Sequence, residues 1–344
     1  MKLYRPNTLQ ITVIILSIIL FSRINSYSQE DCNYYPPQQA ENWVFGNNSL
    51  INFSGGDANA EVTSRAVRIP SGVSAISNSS GELQFISDGL TAKNSAFANI
   101  TNGDNLDGNN LATQSSIIVP QPDDERRYFL FTMDMYIPPV FTKGVNYSVV
   151  EFRSGIPNVV SANNFLMTEN AQKIAAVSHA NGTDYWVVVH GFGSAKGKEF
   201  YSYLVSASGV SDTPVVTNIG HPHEGDFSSN NGAGSMKISP DGSKLALAIP
   251  DDGVVEVYDF DTETGKLSNL KTSAISQFVM AFGIEFSPDN SKLYFSITPK
   301  DLITNYIYQV DLNHPDPFAA PYIVHQFDVS PVGGSADSLL GALQ

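Results

Sequence analysis

The sequence predicts an all-β protein, a β-propeller built from four-stranded blades. Three observations lead to this prediction. After residue 30, short runs rich in Val, Ile, Tyr and Phe are bounded by Gly, Asn, Asp, Ser and Pro, and helical periodicity is hard to find. A strand–turn–strand motif occurs twice near the C-terminus, and weaker copies of it precede these two. The copies recur at a spacing typical of propeller blades.

The clearest repeat aligns residues 236–248 with residues 284–296, at an offset of 48 residues. Pro240 and Pro288 preset φ at the first corner of a turn, and the pairs that follow them, Asp-Gly and Asp-Asn, tolerate positive φ. In each copy a further apolar run follows the second strand. Each copy is therefore predicted to be two strands joined by a tight turn, with a third strand after them.

Weaker copies cover residues 79–86, 122–131 and 181–189. The positions that mark the strand after each turn are separated by 45, 57, 60 and 48 residues. Four-stranded blades repeat about every 40 to 50 residues, with loop insertions, so about five blades are visible. A solenoid is the alternative, although solenoid repeats are shorter and more uniform. The marking positions are Leu83, Tyr128, Tyr185, Leu245 and Leu293.

The blade spacing also bears on the C-terminus. The next marking position would fall at about residue 350, beyond Gln344, and residues 335–344 resemble the entry to a sixth unit. Closure protects the strand edges of a propeller. We therefore expect the chain to be a fragment, a C-terminally incomplete propeller that is poorly stable or self-associating when expressed alone.

The first 28 residues have the features of a cleaved export signal. Lys2 and Arg5 precede an apolar run of about 13 residues, and small residues stand at positions 26 and 28. The run is too short to span about 30 Å of hydrocarbon, and a retained anchor is the alternative. We expect a signal peptide over 1–28, an extended lead-in over 29–40 and the propeller over 41–344. The mature chain is expected to lack a transmembrane segment and to be secreted or attached to the cell surface.

Charge and cysteine content narrow the function classes. The net charge is −15, and removal of a signal with three basic residues and no acidic one makes it about −18. Phosphate binding needs clustered Lys and Arg, so nucleic acid is not an expected partner. Cys32 is the single cysteine, which excludes an intrachain disulfide, and the acidic residues before it argue against a lipidated N-terminus.

The densest group of potential metal ligands is His221, His223, Glu224 and Asp226. Two histidines and two carboxylates are chemically suited to zinc or another divalent ion. The surrounding stretch is rich in Gly, Asn and Ser, which is also typical of a polar loop without a metal. These four residues are candidates only, and neither a metal nor a cofactor is assigned.

Two histidines flank an apolar run: His179 and His190 lie on either side of residues 185–189. They are either ligands or general bases at the mouth of the propeller, or one core histidine and one loop histidine. No nucleophile stands in a recognisable catalytic context, so no catalytic residue is assigned.

Two further stretches have compositions that suggest ligand binding. Residues 102–110 are rich in Asn and Asp, but they lack the alternating oxygen ligands and closing glutamate of a calcium loop, so a turn-rich connection is expected. Residues 191–197 are rich in Gly but lack the spacing of a phosphate-binding loop.

Several motifs in one order resemble a known family. They lie at residues 43–48, 51–54, 76–89, 113–120, 179–190 and 203–210. Together they resemble the N-terminal β-propeller of type IX-secreted, gliding-motility-associated surface proteins of Bacteroidetes-type bacteria. The likeness covers nearly all of residues 40–344, and the blades are of the WD40, YVTN and lactonase-like kind. It implies passage through the export machinery and an outer membrane-associated location, and it assigns no activity to individual residues.

Three functions are compatible with these observations. The leading hypothesis is a non-enzymatic binding, adhesion or scaffold module of a larger protein, with an unknown protein or glycan as its ligand. The alternative is a lactonase-like propeller hydrolase, which would need acidic and histidine side chains converging on a central divalent metal. A third is a folded spacer that presents a distal adhesive region.

Overall fold

Antiparallel hairpins account for nearly all of the secondary structure. The computed structural model describes residues 38–45, 49–54, 59–62, 71–135, 143–226, 229–274, 276–298 and 304–328. The predicted signal peptide, residues 29–37 of the predicted lead-in, and the predicted broken-off unit at 335–344 lie outside these ranges. Within them, no helix is long and apolar enough to cross a membrane.

Six antiparallel sheets are present in the described ranges, each formed by strands that are consecutive in sequence. Sheet 1 contains β1 (Asn42–Phe45), β2 (Ser49–Asn52) and β3 (Asn59–Val62), and sheet 2 contains β4 (Ser74–Ser77), β5 (Leu83–Ser87) and β6 (Ala92–Asn94). Sheet 3 contains β7 (Ser116–Gln121), β8 (Asp124–Met133), β9 (Val145–Arg153) and β10 (Ile156–Met167).

The remaining three sheets follow the same scheme. Sheet 4 contains β11 (Asn170–Ser178), β12 (Tyr185–Gly191), β13 (Glu199–Ser206), β14 (Gly209–Val210) and β15 (Val215–Asn218), the last two both pairing with β13. Sheet 5 contains β16 (Met236–Ile238), β17 (Lys244–Ile249), β18 (Val254–Asp261) and β19 (Lys266–Thr272). Sheet 6 contains β20 (Ala281–Phe286), β21 (Lys292–Ile297), β22 (Thr304–Asp311) and β23 (Tyr322–Asp328).

Helix is confined to two short pieces within the described ranges. Gln38–Ala40, the end of the predicted lead-in, form a single 3-10 turn. A four-residue helix, α1 (Gly193–Lys196), lies between β12 and β13.

The repeated turns in sheets 5 and 6 are organised by their aspartates. Asp241 Oδ1 accepts hydrogen bonds from Ser239 Oγ at 2.7 Å and from the backbone N–H of Ser243 at 3.0 Å. In the second copy, Asp289 Oδ1 accepts from Ser287 Oγ at 2.5 Å and from the Ser291 N–H at 3.1 Å. A side chain that bonds to backbone two residues further on stabilises a turn directly. The sequence repeat therefore has a local physical cause.

The hydrophobic core lies between consecutive sheets. Separate apolar clusters fill the spaces between sheets 1 and 2, 2 and 3, 3 and 4, 4 and 5, and 5 and 6. The cluster between sheets 4 and 5, for example, contains Val188 and Phe200 from one sheet and Leu247 and Tyr258 from the other. Strands covered on both faces bury nearly continuous apolar runs, as in β17. Each sheet is therefore stabilised mainly by its neighbours.

The first strand of each sheet contacts the first strand of the next, so that β1, β4, β7, β11, β16 and β20 form a series of neighbours. Sheets stacked face to face around a common set of first strands are the architecture of a β-propeller. The predicted all-β, β-propeller fold is confirmed. The chain is thus a β-propeller protein.

The five positions that mark the sequence repeats all lie in the second strand of a sheet, on β5, β8, β12, β17 and β21. The structure adds sheet 1 ahead of them, which carries the Trp43 motif without a recognisable copy of the turn. In the described ranges sheets 1 and 2 have three strands each. In sheet 2 a connection of irregular backbone follows β6, and its Thr101 forms a parallel bridge to Asn158 of β10.

The two ends of the sheets differ in their connections. We call one end the turn face; it carries the tight hairpin turns at residues 78–82, 122–123, 154–155, 179–184, 239–243, 262–265 and 287–291. We call the opposite end the loop face; its described connections are residues 88–91, 109–115, 168–169, 192–198, 219–226, 229–235, 250–253 and 276–280. The longer links between sheets 4 and 5 and between sheets 5 and 6 both lie on the loop face.

Candidate functional site

Three basic side chains meet beneath the loop face between sheets 4 and 5. We call Lys173, His190 and His223 the basic cluster. Lys173 lies on β11 and His190 near the end of β12, whereas His223 lies on the connection from sheet 4 to sheet 5. All three side chains are 0% exposed. Such burial is unusual for ionisable groups, which are seldom fully buried unless they are paired.

His223 is fixed in place by its own backbone. Its N–H donates to the Gly197 carbonyl at 2.7 Å, and its carbonyl accepts from the Gly193 N–H at 2.8 Å. A side chain at Gly197 would collide with His223, since a Cβ there would lie 2.7 Å from the His223 carbonyl oxygen. Gly197 therefore permits close approach of the His223 segment, and residues 191–197 contain the short helix α1 rather than a phosphate-binding loop.

The two imidazoles of the basic cluster pack directly on each other. Their ring centroids are 3.8 Å apart with an interplanar angle of 41°. His190 also makes an edge-to-face contact with Phe200, at 4.4 Å between centroids. Nδ1 of His190 lies 2.7 Å from the Gly191 carbonyl oxygen. In the described ranges, His190 Nε2 and both ring nitrogens of His223 are buried without a hydrogen-bond partner.

Lys173 anchors the turn that precedes sheet 5. Its Nζ donates to the carbonyl of Asn231 at 3.4 Å, to that of Gly232 at 3.3 Å, and to that of Ala233. These bonds satisfy backbone oxygens of residues 231–233, which immediately precede β16. Because backbone carbonyls carry no formal charge, they do not compensate a buried ammonium as a carboxylate would.

Burial shifts the protonation equilibria of the whole cluster toward the neutral forms. Burial lowers the pKa of His190 to about 3, with a smaller contribution from the positive charge of Lys173. The pKa of His223 also lies well below its ordinary value because of burial, and His190 and Lys173 lower it further. Burial likewise lowers the pKa of Lys173. At neutral pH the two imidazoles are therefore uncharged.

Beside the cluster, His221 connects the same loop to sheet 5. Its Nε2 lies 2.8 Å from Asp252 Oδ2, and its backbone N–H donates to Glu256 Oε1 at 2.9 Å. Glu256 is 1% exposed and accepts a second bond from the Tyr258 hydroxyl at 2.5 Å. Burial raises the pKa of Glu256, although these hydrogen bonds oppose the shift. Residues 219–226 are thus held at His221 by the carboxylate of Glu256. At His223 they pack on the neutral imidazole of His190.

The structure separates the four metal-ligand candidates of the sequence. His223 points into the core, His221 pairs with Asp252, and the side chains of Glu224 and Asp226 are exposed. Within the described residues, no three His, Cys, Asp or Glu side chains lie close enough together to hold a metal ion. The four residues are close in sequence but not in space, because their side chains point to the core, to Asp252 and to the surface.

The other stretches singled out in the sequence have structural roles. His190 is a core histidine, whereas His179 lies at a turn, where its ring stacks on Trp186 at 5.5 Å between centroids. Residues 102–110 form a turn-rich connection between sheets 2 and 3, as expected. Asp107 in this connection forms an ion pair with Lys143 at 2.8 Å.

A glutamine that the sequence analysis did not identify joins three sheets. Gln114, just before β7, donates from Nε2 to the carbonyls of Ile174 and Met236, both at 3.0 Å. Its Oε1 accepts from the backbone N–H groups of the same two residues, at 3.3 and 3.0 Å. The side-chain amide thus bridges β11 and β16 with hydrogen bonds of the kind that a backbone peptide group makes. Lys173 and Glu256 were missed as well, since a polar residue inside an apolar strand gives no local sign of its partners.

The chain is similar, at low sequence identity, to several solved structures. No protein-family model matches the sequence, and no curated protein matches it. A putative 6-phosphogluconolactonase from Bacteroides uniformis is 14% identical, with 81% of this chain and 77% of that chain covered and a TM-score of 0.47. The periplasmic gluconolactonase of Pseudomonas aeruginosa is 15% identical, with coverage of 81% and 78% and a TM-score of 0.44. The β-propeller domain of Myceliophteria thermophila Cps50 (Swd1) is 8% identical, with coverage of 85% and 87% and a TM-score of 0.43.

Proposed function

We propose that this chain is exported and that its propeller is a binding or scaffold module of a larger secreted or cell-surface protein, with a protein or glycan as its ligand. The observation that carries the proposal is the arrangement of the loop face. Connections from several sheets lie together there on a frame of packed strands. Binding residues are most often found on loops that a rigid scaffold positions.

The loops of this face are held in defined conformations. Residues 109–115 are tied to sheet 3 by the bond from the Asn109 N–H to the Met133 carbonyl, at 2.9 Å. Residues 219–226 are tied to sheet 5 through His221 and to residues 192–198 through His223. A surface that is ordered before binding loses less conformational entropy when the ligand binds. This favours a binding role for the loop face over that of a passive spacer.

An exposed leucine provides a test of which face binds. Leu111 on the loop face is 58% exposed, and Ile156 on the turn face is 65% exposed. We expect Leu111→Asp to weaken binding at least tenfold, because an exposed apolar side chain on a binding surface is replaced by a charge, whereas Ile156→Asp should leave binding unchanged. The measurement is the dissociation constant for a glycan or peptide that the wild-type protein selects from an array. Equal effects of the two substitutions, or an array without a bound ligand, would contradict the proposal.

Export can be checked independently of binding. The full chain, expressed in a Bacteroidetes-type host with an intact type IX system, should be recovered outside the cytoplasm with Gln29 as its first residue. The resemblance to type IX-secreted surface proteins supports an outer-surface location, so a host without that system should retain the protein in the periplasm. Intact mass and N-terminal peptide mapping give the answer. A cytoplasmic protein that begins with Met1 would rule out export.

The hydrolase alternative has one feature in its favour. Glu256 is a buried carboxyl group with a raised pKa beneath the loop face, and such groups are candidates for acid–base chemistry. Hydrolysis of simple sugar lactones, followed in the presence of added divalent metals, would test it. Loss of that activity in a Glu256→Gln variant that remains folded would make hydrolysis the better assignment.

A further inference from the structure

The loop at residues 219–226 carries two histidines, His221 and His223, that lie in different surroundings. We propose that acidification releases His223 from sheet 4 while His221 stays attached to sheet 5, so that this part of the loop face is a pH-sensitive switch. The proposal does not depend on the proposed binding function, because the release can be measured without a ligand.

In the closed loop, neither buried imidazole has an acceptor for an added proton. His190 Nδ1 lies 2.7 Å from the Gly191 carbonyl oxygen, which can only accept, so Nδ1 carries the proton of the neutral ring. A second proton would go to Nε2, which is buried without a partner in the described ranges, as are both ring nitrogens of His223. Since a protonated imidazole donates from both nitrogens, protonation favours a form in which the ring reaches water.

The positive charges of the basic cluster oppose protonation further. The two rings are 3.8 Å apart between centroids, and Lys173 is buried with them. Its Nζ bonds to backbone carbonyls rather than to a carboxylate. Burial lowers the pKa of His190 to about 3 and that of His223 well below its ordinary value, and Lys173 contributes to both shifts. The loop is therefore held closed while both rings are neutral.

The titratable groups on the neighbouring elements have other partners. Glu256 accepts from the Tyr258 hydroxyl and from the His221 N–H. Lys196 of α1 forms an ion pair with Glu169 at 3.1 Å. Among the described residues, no carboxylate is bonded to a ring nitrogen of His190 or His223. The titratable groups on the elements around the two rings, apart from the basic cluster and His221, are Glu169, Lys196, Glu224, Asp252, Glu256 and Tyr258.

His221 responds to acid in the opposite way. Its Nε2 lies 2.8 Å from Asp252 Oδ2, so a proton on this ring turns the contact into a charge-assisted hydrogen bond. Its backbone N–H donates to Glu256 Oε1 at 2.9 Å. The same acidification thus strengthens the attachment of the loop to sheet 5 and weakens its attachment to sheet 4.

The direction and size of the effect follow from the number of protons bound. Imidazoles exposed by opening titrate near pH 6.5, whereas the closed rings stay neutral well below that pH. The closed form is therefore fully favoured above pH 6.5 and loses this advantage as the pH falls. With two protons taken up, the equilibrium constant for opening should rise by up to about 100-fold for each pH unit below 6.5.

Amide hydrogen exchange of the full chain, followed by NMR without a ligand, tests the release. The His223 N–H donates to the Gly197 carbonyl and the Gly193 N–H to the His223 carbonyl, so both exchange when His223 leaves. Their protection factors should fall by about 100-fold or more between pH 7 and pH 5. Low concentrations of urea should not change them, since a local opening exposes little surface. At every pH the His221 N–H should stay better protected.

Substitutions separate the contributions of the two rings. His190→Phe and His223→Phe keep an aromatic ring in the core but cannot take up a proton. Each should therefore reduce the pH dependence of opening from about 100-fold to about tenfold per pH unit. The matched control is His179→Gln, which changes a histidine at a turn and should keep the full dependence.

Three results would overturn the proposal. The first is a protection of the His223 and Gly193 amides that does not change between pH 7 and pH 5. The second is a urea dependence equal to that of the amides of β12, which would mean that His223 is released only when the whole protein unfolds. The third is a His221 amide that exchanges as fast as that of His223. If the Phe variants do not fold, the exchange data of the wild type still decide the question.

Discussion

The variant Gln114→Glu should be destabilised by about 3 kcal/mol or more, because each buried polar group that loses its partner costs about 1–3 kcal/mol. The substitution preserves the shape of the side chain and replaces the amide nitrogen by an oxygen. That oxygen would face the carbonyls of Ile174 and Met236, which now accept bonds at 3.0 Å. Two attractive contacts would thus become repulsive ones. Equilibrium unfolding in urea measures the loss.

The control for this experiment is Gln121→Glu. Gln121 makes a single exposed hydrogen bond from Nε2 to the Ala207 carbonyl at 3.1 Å. Its replacement should change the free energy of unfolding by no more than about 0.5 kcal/mol. If Gln114→Glu were equally mild, water would be satisfying Ile174 and Met236, and the bridging role of Gln114 would be wrong.

A second large effect is expected as the pH falls below 6.5. The pKa of His190 is lowered to about 3 in the folded protein, whereas in the unfolded chain it is about 6.5. A group with a lowered folded pKa binds more protons when unfolded, so its contribution to stability is present above pH 6.5 and is lost as the pH falls toward 3. His223 shifts in the same direction. Two such groups reduce the free energy of unfolding by up to about 2.7 kcal/mol per pH unit.

The effect is best measured between pH 6.5 and pH 5, because most carboxylates titrate below this range. Unfolding free energies measured across it should fall steeply for the wild type. His190→Gln and His223→Gln should each remove about half of the slope, even if they lower the stability itself. His179→Gln, in which the histidine at the turn is replaced, should keep the full slope. A flat profile for the wild type would mean that the cluster can take up protons without unfolding.

How much of this structure the sequence predicts depends on how far apart in the chain the interacting residues lie. The repeated hairpins were predictable because the bonds of Asp241 and Asp289 lie within a few residues. Sheet 1 was not counted, since the sequence between Phe45 and Ser49 contains no aspartate. The contact between His190 and His223 could not be predicted, because it depends on the path of a loop across the edge of sheet 4. For the same reason Gln114 gave no sign of its four bonds to two distant strands.

The contrast between the two faces implies that the protein can change at different rates in its two halves. A turn of four or five residues whose aspartate bonds to its own backbone accepts few substitutions and hardly any insertion. Several links of the loop face are longer, such as those between sheets 4 and 5 and between sheets 5 and 6. Their anchors are a few fixed points such as Gln114, Lys173 and His221. Between these anchors the residues can vary while the frame stays the same. Divergence among related chains should therefore concentrate on the loop face, where a substitution costs little in folding.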